Sequence, residues 1–240
     1  MIELVELTVR FGGTCVLDGL SATLSDPVCG LIGPNGAGKT TLLNVLSGFV
    51  RPGTGRVLLD DISLLELSPA QRVRLGIRRS FQTEQIVEDL SAFQNVLALA
   101  EHVLTNQMAH EAAARALEYV GMTAHAGLRG SELNLFQRRM IELAKAIVGS
   151  PRLLLLDEPG AGLTEFEANQ LREALLGIPA LTGAQVLLID HDVDLIAACC
   201  TQTLVLDYGK RLALGETRAV LDDPLVRSAY LGKEMTSHDA

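Results

Sequence analysis

A glycine-rich segment set between an apolar run and a helix-forming run constrains this chain more than anything else in it: Gly33, Pro34, Asn35, Gly36, Ala37, Gly38, Lys39 and Thr40. Pro27 to Ile32 is apolar and stops against Gly33, the pattern of a short buried strand. From Lys39 onward Leu42, Leu43 and Leu46 recur at helical spacing, and Gly48 marks a stop. A strand that turns this way into a helix fits G-x-x-x-x-G-K-[ST]. The glycines let the main chain wrap closely around an anion, with N–H groups and the helix N-terminus aimed at it. Lys39 adds a charge near the β and γ phosphates of a nucleotide, Thr40 offers a hydroxyl to Mg²⁺, and Thr41 continues the same helix start. The bland alternative is an accidental glycine-rich turn, and the strand–helix context weighs against it.

A second anchor is the run Leu153, Leu154, Leu155, Leu156, Asp157, Glu158 and Pro159. Apolar residues followed by acids describe a buried strand that delivers carboxylates at its C-terminal edge, where open α/β sheets bind ligands. Asp157 is expected to hold Mg²⁺, directly or through water, and Glu158 to orient or deprotonate an attacking water. Acids at strand ends are common; pairing with the loop around Lys39 gives this motif its weight.

Other runs set the architecture. Ile2, Leu4, Leu7 and Val9 alternate with polar residues as in a half-buried strand, and Phe11, Gly12 and Gly13 read as a turn. Strand-like runs follow at Arg56–Asp60, Ile77–Phe81, Leu153–Leu156, Gln185–Ile189 and Thr203–Leu206. Helical segments separate the later ones. That alternation predicts an α/β chain with a mainly parallel sheet and helices on both faces. Residues 84–150 switch to an Ala/Glu/Leu-rich helical pattern, His110–Val120 for example, and are expected to form an all-helical insert within a single domain over 1–240. Met235–Ala240 reads as disordered.

With 48% hydrophobic and 20% charged residues the chain can bury a core, which Leu, Val, Ile and Ala must build because aromatics make up only 4%. The net charge of −9 repels a phosphate backbone, so no nucleic acid is expected as a partner. Cys15, Cys29, Cys199 and Cys200 form no C-x-x-C pair and no zinc-ligand spacing; they read as small apolar residues in a reducing compartment. No leader is read before the first strand, and no apolar run approaches the roughly 18–20 residues of a membrane span. Attachment to a membrane would need other subunits.

The two motifs, with a helical stretch between them, resemble the ATP-binding subunits of ABC transporters over roughly Ile2 to Gly232. The stretches Arg10–Gly13, Ile77–Gln82, Asp157–Leu163 and Ala229–Gly232 make the chain similar to subunits of branched-chain amino-acid importers and the related urea importers. The resemblance implies a P-loop NTPase core with an N-terminal antiparallel β lobe and an inserted α-helical subdomain, hydrolysing ATP with Mg²⁺. It implies that Phe11 stacks on adenine, that Gln82 contacts Mg²⁺ and the attacking water, and that His191 reaches the γ phosphate. Without the family, Phe11 reads as turn packing, Gln82 as a surface residue and His191 as structural. Gly160–Thr164 falls on the loop that crosses the family's dimer interface, with Thr164 where an acid or amide is usual.

One segment departs from the family. Where Leu-Ser-Gly-Gly-Gln is expected before a helix, this chain has Leu133, Asn134, Leu135, Phe136 and Gln137. Asn134 offers a polar donor in place of the Ser hydroxyl. Leu135 and Phe136 cannot reproduce glycine, and a Phe at that position should block close approach of a phosphate or force the loop aside. In the family this segment serves the ATP of the opposite subunit. The resemblance therefore implies a complete site at Lys39 and a defective one offered to a partner, which favours a heterodimer with a second ABC ATP-binding subunit. It also implies transmembrane permease subunits, indirectly a solute-binding protein, and a place on the cytoplasmic face of the membrane. A soluble non-transport ABC ATPase and a degenerate regulatory ATP-binding module are the alternatives.

Overall fold

The computed structural model describes residues 1–231; the expectation for Met235–Ala240 lies outside the described residues. In chain order the strands are β1 (Ile2–Phe11), β2 (Thr14–Leu24), β3 (Val28–Ile32), β4 (Thr54–Leu59), β5 (Ile62–Ser63), β6 (Ile77–Arg79), β7 (Leu153–Asp157), β8 (Gln185–Ile189), β9 (Gln202–Asp207) and β10 (Lys210–Glu216). The helices are α1 (Lys39–Ser47), α2 (Pro69–Leu75), α3 (Ala92–Val103), α4 (Asn106–Tyr119), α5 (Leu135–Ile147), α6 (Glu165–Thr182), α7 (Val193–Cys199), α8 (Thr217–Asp222) and the short α9 (Pro224–Val226). The fold is α/β with one mainly parallel and one antiparallel sheet, and its residues divide into two compact units, 1–73 with 187 onward, and 74–186.

In the first unit β2, β1, β4 and β5 form the antiparallel sheet. Ile2, Leu4, Leu7 and Val9 of β1 are all buried, although Leu4 and Leu7 stand three apart. Glu6 takes a φ of 49° and the β1–β2 register shifts between Leu4 and Leu7. This bulge inserts one residue and returns Leu7 to the core face. The other strands of the unit run β10, β9, β3 and the end of β8, with β3 parallel to β9 and β10 antiparallel to it. All five residues of β3 are buried, as its apolar run predicts. Cys29, Cys199 and Cys200 are buried in this core, as small apolar residues would be.

Helix α1 is fixed firmly at its C-terminal end. Gly48 closes it in the left-handed region at φ 89°, and the buried Arg72 donates to Leu46 O at 2.9 Å and to Val45 O. A guanidinium at these carbonyls complements the helix dipole. Burial pushes the Arg72 pKa below its ordinary value.

In the second unit β6 and β7 pair in parallel, Ile77 opposite Leu153 and Arg79 opposite Leu155. The sequence suggested a strand to Phe81; β6 stops at Arg79, with one further bond from Ser80 N to Leu155 O at 2.9 Å. Between the two strands, α3, α4 and α5 account for the helical pattern of 84–150, and no strand lies there among the described residues. Ser91 and Gln94 start α3 with a reciprocal capping box.

Candidate nucleotide-binding and catalytic site

The phosphate loop lies in the first unit, between β3 and α1. Gly33 holds φ 151°, and a Cβ there would meet Leu206 O at 2.1 Å. Gly38 holds φ 105°, and its Cβ would meet Leu17 Cδ2 at 2.7 Å. Only glycine lets this loop pack against its neighbours. Ala37 ties the loop down further, accepting from Gly209 N at 3.0 Å. Pro34 is half-buried, while Asn35, Gly36 and Thr40 are exposed and Thr41 half-buried. Gly38 precedes α1 without any side-chain cap, and no acid stands in the first turn. A helix that starts with uncapped N–H groups, a free positive dipole end and a lysine beside it fits an anion such as a nucleotide phosphate. Lys39 is 8% exposed, and its ammonium donates to Gly33 O at 2.5 Å and Pro34 O at 3.1 Å.

Two more expected residues belong to this unit. Phe11 ends β1 opposite Thr14 and is 51% exposed, so its ring is open to stacking. His191 is half-buried between two anchored acids: Asp190 accepts from Asp192 N at 3.0 Å, and the Asp192 carboxylate caps α7 by accepting from Asp194 N and Leu195 N.

Asp157, Glu158 and Gln82 lie together in the second unit. Asp157 ends β7 and is 3% exposed; its N–H donates to Ser80 Oγ at 3.1 Å and its Oδ2 lies 3.6 Å from Arg79 Nη2. Burial lowers the Arg79 pKa, and the Asp157 charge and hydrogen bond oppose that. Glu158 takes φ 51° and is half-buried. Gln82, exposed and beyond the end of β6, donates from Nε2 to Glu158 Oε1 at 3.1 Å. Sequence reasoning missed Arg79 and Ser80. Their signal was slight, a basic pair and a serine closing a strand-like run.

The altered signature lies in the same unit. Asn134 is the N-cap of α5: its Oδ1 accepts from Gln137 N at 2.8 Å, while Gln137 Oε1 accepts from Asn134 N at 3.0 Å. Phe136 is half-buried and lines a groove with Tyr119, Met122, Met140, Glu173 and Gly177. It stands one helical turn before the buried Met140, on the same face, with its ring against that groove. Leu135 is the outward residue, 39% exposed, with Cδ2 3.0 Å from the point a Cβ on Gly162 would occupy. Thr164 also has a local explanation: it caps α6 in a box with Glu167.

Known proteins bear on this geometry. Residues 17–161 match the model of the ABC transporter family. The chain is 34% identical to the high-affinity branched-chain amino acid transport ATP-binding protein BraF of Pseudomonas aeruginosa, covering 97% of this chain and 98% of that protein. It is 33% identical to LivG of Escherichia coli, a protein of the same description, with the same coverage. It is 35% identical to the lipopolysaccharide export system ATP-binding protein LptB of Acidithiobacillus ferridurans over 86% of each chain. Among solved structures, the ADP conformation of MJ1267, an ATP-binding cassette of an ABC transporter, superposes with a TM-score of 0.87 at 28% identity over 97% of this chain and 98% of that one. The chain belongs to the ABC transporter family, as an ATP-binding subunit that hydrolyses ATP.

Proposed function

We propose that the chain powers an importer of branched-chain amino acids or a related small polar solute. The observation that carries this reading is likeness along the whole length: BraF and LivG match 97% of this chain, against 86% and 91% for two export proteins LptB. Transmembrane permease subunits then hold it at the cytoplasmic face of the membrane, with a solute-binding protein delivering the cargo. Among the described residues no helix is long and apolar enough to cross a membrane, which suits a subunit attached by others.

In this reading the chain is one ATP-binding domain, with residues 84–150 as a helical lobe. Main-chain N–H groups of Gly33 to Gly38, with Lys39, Thr40 and Thr41, hold the phosphates, and Phe11 stacks on the base. Thr40, Gln82 and Asp157 supply hydroxyl, amide and carboxylate oxygens, the hard donors that Mg²⁺ takes. An ion held by these residues would neutralise phosphate charge during transfer. Glu158 orients the attacking water and takes its proton, Gln82 fixes the carboxylate, and His191 contacts the γ phosphate. Because Leu135 and Phe136 take the place of the signature glycines that would serve a partner's ATP, a heterodimer with a second ATP-binding subunit of intact signature is favoured.

The test is reconstitution in vesicles with permease and solute-binding proteins of the branched-chain type. Amino-acid uptake that stimulates ATP hydrolysis, and stops with Glu158→Gln, is the expected result. Stimulation by lipopolysaccharide carriers and not by amino acids would overturn the cargo.

A further inference from the structure

The segment that carries Gln82 has no regular secondary structure from Phe81 to Gln85, yet its main chain is held at several points by a single helix. Arg139, Glu142 and Lys145 recur every third residue along one side of α5. Arg139 is 7% exposed, and its guanidinium donates to Gln82 O at 3.0 Å and Phe81 O at 3.4 Å. The same group pairs with Glu84 Oε1 at 2.9 Å. Glu142 Oε1 accepts from Gln85 N at 2.7 Å, and Lys145 Nζ donates to Gln85 O. The far end of the chain of contacts is Gln82 Nε2 on Glu158 Oε1 at 3.1 Å.

Strand β6 stops at Arg79, so the sheet alone cannot fix the Gln82 amide. A loop of this kind samples many conformers unless other groups order it. Here the ordering groups are charged, and two of them, Arg139 and Glu142, are buried while Lys145 is half-buried; a charged partner strengthens a hydrogen bond, and burial raises the cost of losing one. The planar guanidinium reaches two successive carbonyls and a carboxylate at once, a geometry an ammonium cannot copy.

We infer that Arg139 is a positioning residue for hydrolysis: with Glu142 and Lys145 it clamps residues 81–85 to α5 and thereby sets the Gln82 amide against the Glu158 carboxylate. This rests on the ATPase reading of Glu158 and Gln82. It gives α5, the helix that begins at the altered signature, a mechanical hold on the carboxylate. A shift of α5 moves the Gln82 main chain with it.

The full chain is assayed for single-turnover hydrolysis of labelled ATP over a range of ATP concentrations. Arg139→Met is expected to lower the maximal rate on the order of tenfold or more, since small misplacement of a reacting group is costly. The half-saturating ATP concentration should move less than about twofold, because ground-state binding is untouched. Arg139→Lys should recover part of the loss. In a Gln82→Ala background Arg139→Met should cost less than about twofold further, since its effect acts through Gln82. An equal loss in both backgrounds, or an unchanged maximal rate in Arg139→Met, overturns the inference. If Arg139→Met does not fold, Lys145→Met carries the test: amide hydrogen exchange across residues 81–86 must rise and the maximal rate fall, and unchanged exchange overturns the clamp. Glu158→Gln separates the two levels of the argument. If it leaves hydrolysis intact, the ATPase assignment of Glu158 falls; if it abolishes hydrolysis while Arg139→Met has no effect, only the clamp falls.

Discussion

Gln82 Nε2 meets Glu158 Oε1 at 3.1 Å, while the neighbouring Asp157 carboxylate lies 3.6 Å from the Arg79 guanidinium. Two acids adjacent in sequence thus have separate surroundings. Asp157 still belongs to β7, buried in the strand's line, whereas Glu158 turns out of it at φ 51°. A left-handed conformation costs a non-glycine residue about 1–3 kcal/mol and persists where surrounding contacts impose it. The bend keeps one carboxylate buried beside Arg79 and leaves the other half-buried beside Gln82.

That division predicts distinct losses from two substitutions. Lys39→Ala removes the charge beside the phosphate loop and should abolish most ATP binding, measured by titration with a fluorescent nucleotide. Glu158→Gln keeps the loop intact and the shape of the side chain, so binding should persist while turnover falls by several orders of magnitude. Equal binding and parental turnover in both variants would refute the assignment of the site.

Glycines of the loop should differ sharply. Gly33→Ala places a Cβ 2.1 Å from Leu206 O, a main-chain atom that cannot move aside cheaply. Gly36→Ala meets nothing within 4 Å and carries only the strain of φ 81°. Denaturant unfolding should show a loss of about 1 kcal/mol for Gly36→Ala and at least about 3 kcal/mol for Gly33→Ala. Similar losses at the two positions would mean the loop does not pack on Leu206 as described.

Much of the fold could be read from the chain, and the exceptions have physical causes. Runs buried on both faces, such as Leu153–Leu156 and Gln185–Ile189, announce themselves by apolar continuity, and both fall within β7 and β8. Strand β2 was missed because Asp18 and Gly19 interrupt it like a turn, and in the structure Gly19 sits in the left-handed region at φ 62°. Strand β10 was missed because its residues are only exposed or half-buried, so no alternation shows. At the site, the phosphate loop and the two acids were legible since local spacing defines them. The packing of Phe136 against its groove and the grip of Arg139 on residues 81–82 were not. Charged residues three apart on a helix read as a solvated face, and their partners lie more than fifty residues earlier in the chain.

The buried acid of that helix makes stability depend on pH in a definite direction. Burial holds the Glu142 carboxyl above the usual range, opposed by the Gln85 N–H, Lys145 and Arg139 and assisted by Glu84. A carboxyl raised in this way contributes stability that is fully present below its unfolded pKa of about 4.3 and is lost as pH rises through the folded value. Glu142→Gln keeps an acceptor for Gln85 N but cannot ionise. Unfolding curves from about pH 4 to neutrality should therefore show the variant gaining stability relative to the parent as pH rises, with the difference levelling off above the folded pKa. A difference that stays constant or shrinks with rising pH would contradict the balance of forces at Glu142.

The altered signature yields the most discriminating prediction, because Leu135 and Phe136 have different surroundings. Phe136 fills part of a groove beside Tyr119 and Met140, so Phe136→Ala should lower stability by about 1–3 kcal/mol, short of a full core truncation, with little gain in turnover. Leu135 is 39% exposed at the first position of α5, ahead of the N–H groups that an opposing γ phosphate would have to reach. Leu135→Gly should raise the ATPase rate of the isolated chain, since in a transient homodimer the main-chain donors could then approach charge that builds during transfer. One recovered donor of this kind is worth about 3 kcal/mol, or on the order of a hundredfold in rate. The gain is limited by a glycine in the first turn of a helix, which costs up to about 1 kcal/mol, but the Asn134–Gln137 capping box is left in place. Turnover is compared at matched protein concentrations, with Glu158→Gln as the background. A rise with Phe136→Ala and none with Leu135→Gly, in variants that remain folded, would show that Phe136 obstructs the approach after all. No rise in either would mean that bulk at these positions does not limit hydrolysis, and the asymmetry that favours a heterodimer would lose its basis.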